Sequence, residues 1–168
     1  MASADLSFSS PDDPAVRRRL EAARGYCELH LPDLAWEEIA PLRKPLANAP
    51  ELMEAELMIL MIEKRWIEAL ALSLRLQRRC PDQPAGWLQA SFCLHEMGRT
   101  REALERLVSA PKALRKVPLF HYNTGCYLAV LGQLREAMTA LRKSFEMDEE
   151  FRDCAKSDPD LIAIRDHL

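Results

Sequence analysis

The sequence predicts an all-α protein of about four consecutive helix hairpins with a C-terminal capping helix, and three spacings carry that prediction. Ala35, Ala69, Ala103 and Ala137 lie 34 residues apart, three of them inside near-copies of one tripeptide: Glu68-Ala69-Leu70, Glu102-Ala103-Leu104 and Glu136-Ala137-Met138. Pro50, Pro84 and Pro118 keep the same 34-residue step, as do Gly98 and Gly132. Proline suits a first helical position and glycine the left-handed residue that stops a helix, so the frame marks starts and stops as well as contacts. Composition agrees, because only 5 of 168 residues are glycine and Leu, Ala, Arg and Glu dominate. A unit of this length cannot bury its own apolar face and must stack on copies of itself.

Residues 1–13 are polar and rich in Ser, Asp and Pro, which predicts a disordered leader. Asp13-Pro14 supplies a cap and a first helical residue, so helix should run over 14–29. His30-Leu31-Pro32-Asp33 breaks it, and Asp33 is placed to cap a second helix over 34–46. After Asn48-Ala49-Pro50, residues 51–63 carry Leu52, Ala55, Ile59 and Ile62 at helical spacing, and 66–79 follows as its partner. Cys80-Pro81-Asp82-Gln83-Pro84 is the firmest stop, since a residue before proline is pushed out of the helical region.

Helices are then expected over 85–97 and 101–114, with Gly98 ending the first and Thr100 capping the second. The last hairpin reads as 118–131, Gly132, and 134–148. These boundaries give repeats of about 16–49, 50–83, 84–117 and 118–151 within one domain spanning 14–151. The tail, 152–168, is expected to be a capping helix started by Asp158-Pro159, with Leu161, Ile162, Ile164 and Leu168 on its apolar face. It would either seal the last hairpin or lie across the first helices.

The 34-residue hairpin resembles the tetratricopeptide repeat, whose pattern runs Trp-x2-Leu-Gly-x2-Tyr, then Ala-x3-Phe, then Pro. The fourth repeat sets His121, Thr124, Gly125, Leu128, Ala137, Leu141 and Glu149 on it, and the third Trp87, Ala90, Ser91, Leu94, Ala103, Leu107 and Arg115. The second gives Met53, Glu56, Leu57, Leu60, Ala69, Ser73 and Pro81, and the degenerate first gives Arg19, Ala22, Ala23, Tyr26, Ala35, Ile39 and Ala47. Ala23, Ser91 and Gly125 are small where two helices of a hairpin would cross, as are the four alanines on the second helices.

The resemblance implies a right-handed superhelical solenoid with a concave groove lined by the first helix of each hairpin. Its implied groove positions are Arg24 on the first of these helices, Glu54, Met58, Met61 and Ile62 on the next, Leu88, Phe92 and His95 on the third, and Tyr122, Asn123 and Cys126 on the fourth. The carboxylate clamp of some family members needs Lys, Arg and Asn, whereas these places hold mostly Glu, Met, Leu and Phe. The groove's character is apolar, which suits a peptide or amphipathic helix with buried anchors. The resemblance therefore implies a non-catalytic scaffold for another protein. Alternatives are a small tetratricopeptide chaperone with a dedicated client and a self-associating module, so the expected state is a monomer or weak homodimer.

A formal net charge of −3 argues against nucleic acid as a partner. The start has no secretory leader and no stretch is apolar enough for a bilayer, so no membrane partner is expected and a cytoplasmic setting is. Five cysteines without close pairs read as reduced thiols. The frame places His95 and Cys126 to approach each other between neighbouring first helices near His121, but isolated Cys and His on packed helices are usually structural. There is no zinc-protease, phosphate-loop, nucleophile-elbow or dinucleotide motif, so no enzyme activity, cofactor or metal is expected.

Overall fold

A computed structural model describes residues 10–167. Nine α-helices account for most of them: α1 Pro14–Glu28, α2 Pro32–Ile39, α3 Pro50–Ile62, α4 Trp66–Arg79, α5 Pro84–Glu96, α6 Thr100–Val108, α7 Pro118–Val130, α8 Leu134–Met147 and α9 Glu150–Ser157. No strand occurs among the described residues. Of the leader expected at 1–13, residues 1–9 lie outside the described residues, and 11–13 turn into α1. There Asp13 accepts from the Ala15 amide at 2.8 Å, satisfying a donor that no helical carbonyl reaches.

The repeat frame is written into the backbone at each hairpin tip. His30, Lys64, Gly98 and Gly132, 34 residues apart, all have positive φ, at 57°, 56°, 75° and 77°. Each is the left-handed residue of a Schellman stop, in which its own amide and the next one bond back to carbonyls near the helix end. At Lys64 these bonds are Lys64 N–H to Met61 O at 3.1 Å and Arg65 N–H to Leu60 O at 2.9 Å. The same pair closes at Gly132, to Ala129 O at 3.0 Å and, through Gln133, to Leu128 O at 2.9 Å. Pro50, Pro84 and Pro118 each open a helix as expected.

The chain divides into two compact units that part within α4, one ending at Leu72 and one beginning at Ser73, where one domain was expected. Hairpin chains make mostly local contacts and partition readily for that reason. In the first unit α1, α2 and α3 pack together around Val16, Leu20, Ala23, Ala35, Ile39 and Ile59. In the second, α5 packs on α6 and α7 on α8, with α9 and the tail against α8 and α7.

Ala35, Ala69, Ala103 and Ala137 are all fully buried, as are Leu107 and Leu141 four residues after the last two. Enlarging such an alanine would overpack a close helix contact, at a cost of about 1–3 kcal/mol. Gly125 is small for the same reason: a Cβ there would lie 2.6 Å from Leu141 Cγ on α8.

Three expected boundaries differ. The second helix was expected over 34–46; α2 starts at Pro32 and ends at Ile39, giving way to a 3₁₀ turn at Ala40–Leu42. Pro41 has no amide to donate and crowds the carbonyl four residues back. Likewise α6 stops at Val108, before Pro111, rather than at 114. The tail is not one capping helix over 152–168. α9 ends at Ser157, because Asp158 precedes Pro159 and is extended, and 3₁₀ turns at Pro159–Leu161 and Arg165–His167 follow. Leu168, expected on the apolar face, lies outside the described residues.

Candidate functional site

Groove positions expected on the first helices divide by compact unit. In the first unit, Arg24 on α1 and Met58 on α3 are exposed, while Glu54, Met61 and Ile62 are half-buried on α3. Met58 is 37% exposed, the largest opening of an apolar side chain on α3. Met58, Met61 and Ile62 fall at i, i+3 and i+4, so they share one stripe of the helix. Arg24 and Glu54 interact across α1 and α3; burial raises the Glu54 carboxyl, with Arg24 opposing and Glu51 adding to the rise.

In the second unit the corresponding side chains are covered. Leu88, Tyr122, Asn123 and Cys126 are buried, and Phe92 and His95 half-buried. What faces three of them is the C-terminal segment. Tyr122 Oη donates to Asp158 Oδ2 at 2.7 Å and Cys126 Sγ donates to the same oxygen at 3.6 Å. His95 Nε2 donates to Asp160 Oδ2 at 2.9 Å, while its Nδ1 pairs with Thr100 Oγ1 at 3.0 Å. Thr100, expected as a helix cap, is instead the first residue of α6 and serves the imidazole.

Around this cluster, Phe151 packs on the Tyr122 ring with centroids 5.0 Å apart, and Tyr127 lies 4.8 Å from His95. Leu161 is fully buried and Ile164 nearly so. Asp158 Oδ1 also accepts from the Asp160 amide at 2.9 Å, which tightens the turn at Pro159–Leu161.

Burial and neighbouring charge shift the ionisation of this cluster. The hydrogen bond to Asp160 raises the His95 pKa, against burial, with Asp160, Glu96 and Asp158 adding to it. Burial pushes the Cys126 thiol far up, and the neighbouring Asp158 and Asp160 carboxylates push it further. Burial and the bond to Asp158 do the same to the Tyr122 hydroxyl.

Cys126, Asp158 and Asp160 do bring their ligand atoms within 4.8 Å of one another. A metal would need the thiolate, however, and the carboxylate oxygens already accept from Tyr122, Cys126, His95 and a backbone amide. The arrangement is a set of proton donors for two carboxylates. It also gives no activated nucleophile, since the thiol is buried and protonated and His95 is engaged at both nitrogens.

His121, weighed as a neighbour of His95 and Cys126, points elsewhere: its Nε2 donates to Arg115 O at 2.8 Å, and burial lowers its pKa. The contacts missed by sequence reasoning are Asp158 as an acceptor for α7 and Asp160 as the partner of His95. The one available signal was the Asp-Pro-Asp spacing, which places two carboxylates on one short turn.

No protein-family model matches the sequence, and no curated protein matches it either. Among solved structures the chain is similar to the crystal structure of MamA, a helical protein of tetratricopeptide-like fold. The two share 16% identity over 84% of this chain and 83% of that one, with a TM-score of 0.67. The likeness establishes a tetratricopeptide-like helical fold. No helix among the described residues is long and apolar enough to cross a membrane.

Proposed function

We propose that the chain is a non-catalytic protein-interaction module that holds a peptide or amphipathic helix of a partner protein, in the cytoplasm, against the first-helix face of its hairpins. One observation carries the reading. Glu54, Leu88 and Tyr122 are equivalent in the 34-residue frame, as are Arg24, Met58, Phe92 and Cys126, and Met61 and His95. In the second compact unit three of these positions, Tyr122, Cys126 and His95, grip a chain segment outside the hairpins. In the first unit the same register positions are Glu54, Met58 and Met61, with Met58 exposed. The same register in the first unit presents methionines, and flexible methionines suit an apolar anchor.

The free thiols of all five cysteines accord with a reducing compartment, and the net charge of −3 accords with a protein rather than a nucleic-acid partner. The test is capture by the purified chain of a stoichiometric binder. Met58→Glu with Met61→Glu should abolish it while helicity stays intact, and Arg18→Glu at an exposed α1 position should leave it unchanged. Capture that survives the double substitution sinks the assignment of this face.

A further inference from the structure

We propose that the α5/α7 face of the second compact unit is a receptor surface for acidic segments of the pattern Asp-Pro-Asp-Leu, and that residues 158–161 are its built-in, displaceable occupant. A partner protein presenting the same pattern would compete with the chain's own tail. Two features of the contact support recognition rather than simple sealing of the last hairpin.

The first is its chemistry. A terminal segment that only covers apolar surface has no use for buried or half-buried carboxylates, which cost free energy unless donors meet them. Here side-chain donors from two helices of different hairpins converge on carboxylates two residues apart: Tyr122 and Cys126 of α7 on Asp158, and His95 of α5 on Asp160. Leu161 adds one fully buried apolar anchor directly after them. The determinants thus lie in four consecutive residues, held in a turn by Pro159 and by the Asp158 bond to the Asp160 amide. Short, preorganised and side-chain-read, this is the form of a peptide motif.

The second is how the tail is tied, by Ala155, Leu161 and Ile164 with little backbone bonding beside them. On its N-terminal side, Arg152, Asp153, Cys154, Lys156 and Ser157 of α9 are exposed. Beyond Asp158 only 3₁₀ turns follow, with few backbone bonds to break. Arg165 bonds the Asp158 carbonyl at 2.9 Å through Nη2, yet its Nε is buried without a partner, a penalty the closed tail carries and a competing segment without that arginine does not. The Asp160 side chain is still 28% accessible in place, so the His95 contact opens at a wet edge.

The proposal rests on reading the chain as an interaction module but uses residues of the second compact unit rather than Met58 and Met61 of the first, so each can fail alone. The test uses the full chain, the probe being a fluorescein-labelled synthetic peptide of residues 155–168 followed by anisotropy. The tail-weakened Asp158→Asn/Asp160→Asn chain should bind this peptide at least ten-fold more tightly than the wild type, because its own tail competes less. Substituting both aspartates of the peptide by asparagine, or adding Tyr122→Phe to the chain, should lose at least ten-fold of that affinity.

Hydrogen exchange over 150–167 reports whether the tail opened. An opened tail with no peptide binding overturns the proposal, and so does a tail that stays protected in the double variant, since the carboxylates then do not hold it. Concentration-dependent dimers of the wild type without peptide binding also overturn it, assigning the face to a second copy's tail. Should the double variant lose its helicity, excess peptide on the wild type decides: deprotection of 150–167 supports the proposal and unchanged protection refutes it.

Discussion

Replacing Lys64 by glycine should stabilise the chain by roughly 0.5–1 kcal/mol. The left-handed conformation costs an L-residue about 1–2 kcal/mol, and glycine's extra freedom in the unfolded chain returns about 0.5–1 of it. Lys64 sits there at φ 56° and is exposed, with its backbone already committed to the Schellman bonds, so the substitution changes little else. His30, at φ 57° and also exposed, should respond alike.

The reciprocal experiment uses the tips that already carry glycine. A Cβ on Gly98 or Gly132 would meet nothing within 4 Å, so alanine there tests the backbone alone and should lose about 1 kcal/mol. Urea unfolding followed by tryptophan fluorescence is the assay, with Trp36 and Trp66 in the first compact unit and Trp87 in the second. A shift in midpoint at constant slope reads the change. If Gly98→Ala costs the expected amount while Lys64→Gly is neutral or destabilising, the equivalence of the four tips as strained stops is refuted.

Two further expectations follow from packing and charge. Gly25→Ala should stabilise by about 0.5–1 kcal/mol, since nothing lies within 4 Å of its Cβ site, whereas Gly125→Ala should destabilise by about 1–3 kcal/mol by driving a methyl to 2.6 Å from Leu141 Cγ; calorimetry should give Tm shifts of opposite sign. His95, facing Asp160, Asp158, Glu96, Tyr127 and Thr100, has a folded pKa raised above 6.5, so its contribution is complete below 6.5 and lost as pH rises through the raised value; the stability advantage of wild type over His95→Gln should shrink across that window, and an advantage that grows there contradicts the pairing.

The hairpins were legible because their determinants are local and repeated: a proline opens each of α3, α5 and α7, and a buried alanine recurs on each second helix. Boundaries slipped where a proline sat inside an otherwise periodic stretch, as Pro41 does after α2. The breaks after 29 and 63 were expected, but not the left-handed residue at each, because neither His30 nor Lys64 is glycine, although the frame through Gly98 and Gly132 points to both. Coverage of Tyr122 and Cys126 had only the Asp-Pro-Asp spacing of the tail as a signature, which does not say what its carboxylates meet. It depends on Asp158, 32 residues beyond Cys126, and such pairings are set by tertiary contact rather than by periodicity.

The register also explains how one backbone frame offers different chemistry at equivalent places. Along one line of the frame the side chain changes from Arg24 to Met58 to Phe92 to Cys126, and along another from Glu54 to Leu88 to Tyr122. The buried alanines stay constant because helix contact leaves no room for change, while the first-helix face is free to vary. Tyr122 and Cys126 present O–H and S–H donors and meet carboxylates; Met58 presents a soft apolar surface and stands open. On the proposed reading specificity is set repeat by repeat: charge substitutions at Met58 should change what the first unit accepts, and substitutions at Tyr122 should change how firmly the second keeps its own tail.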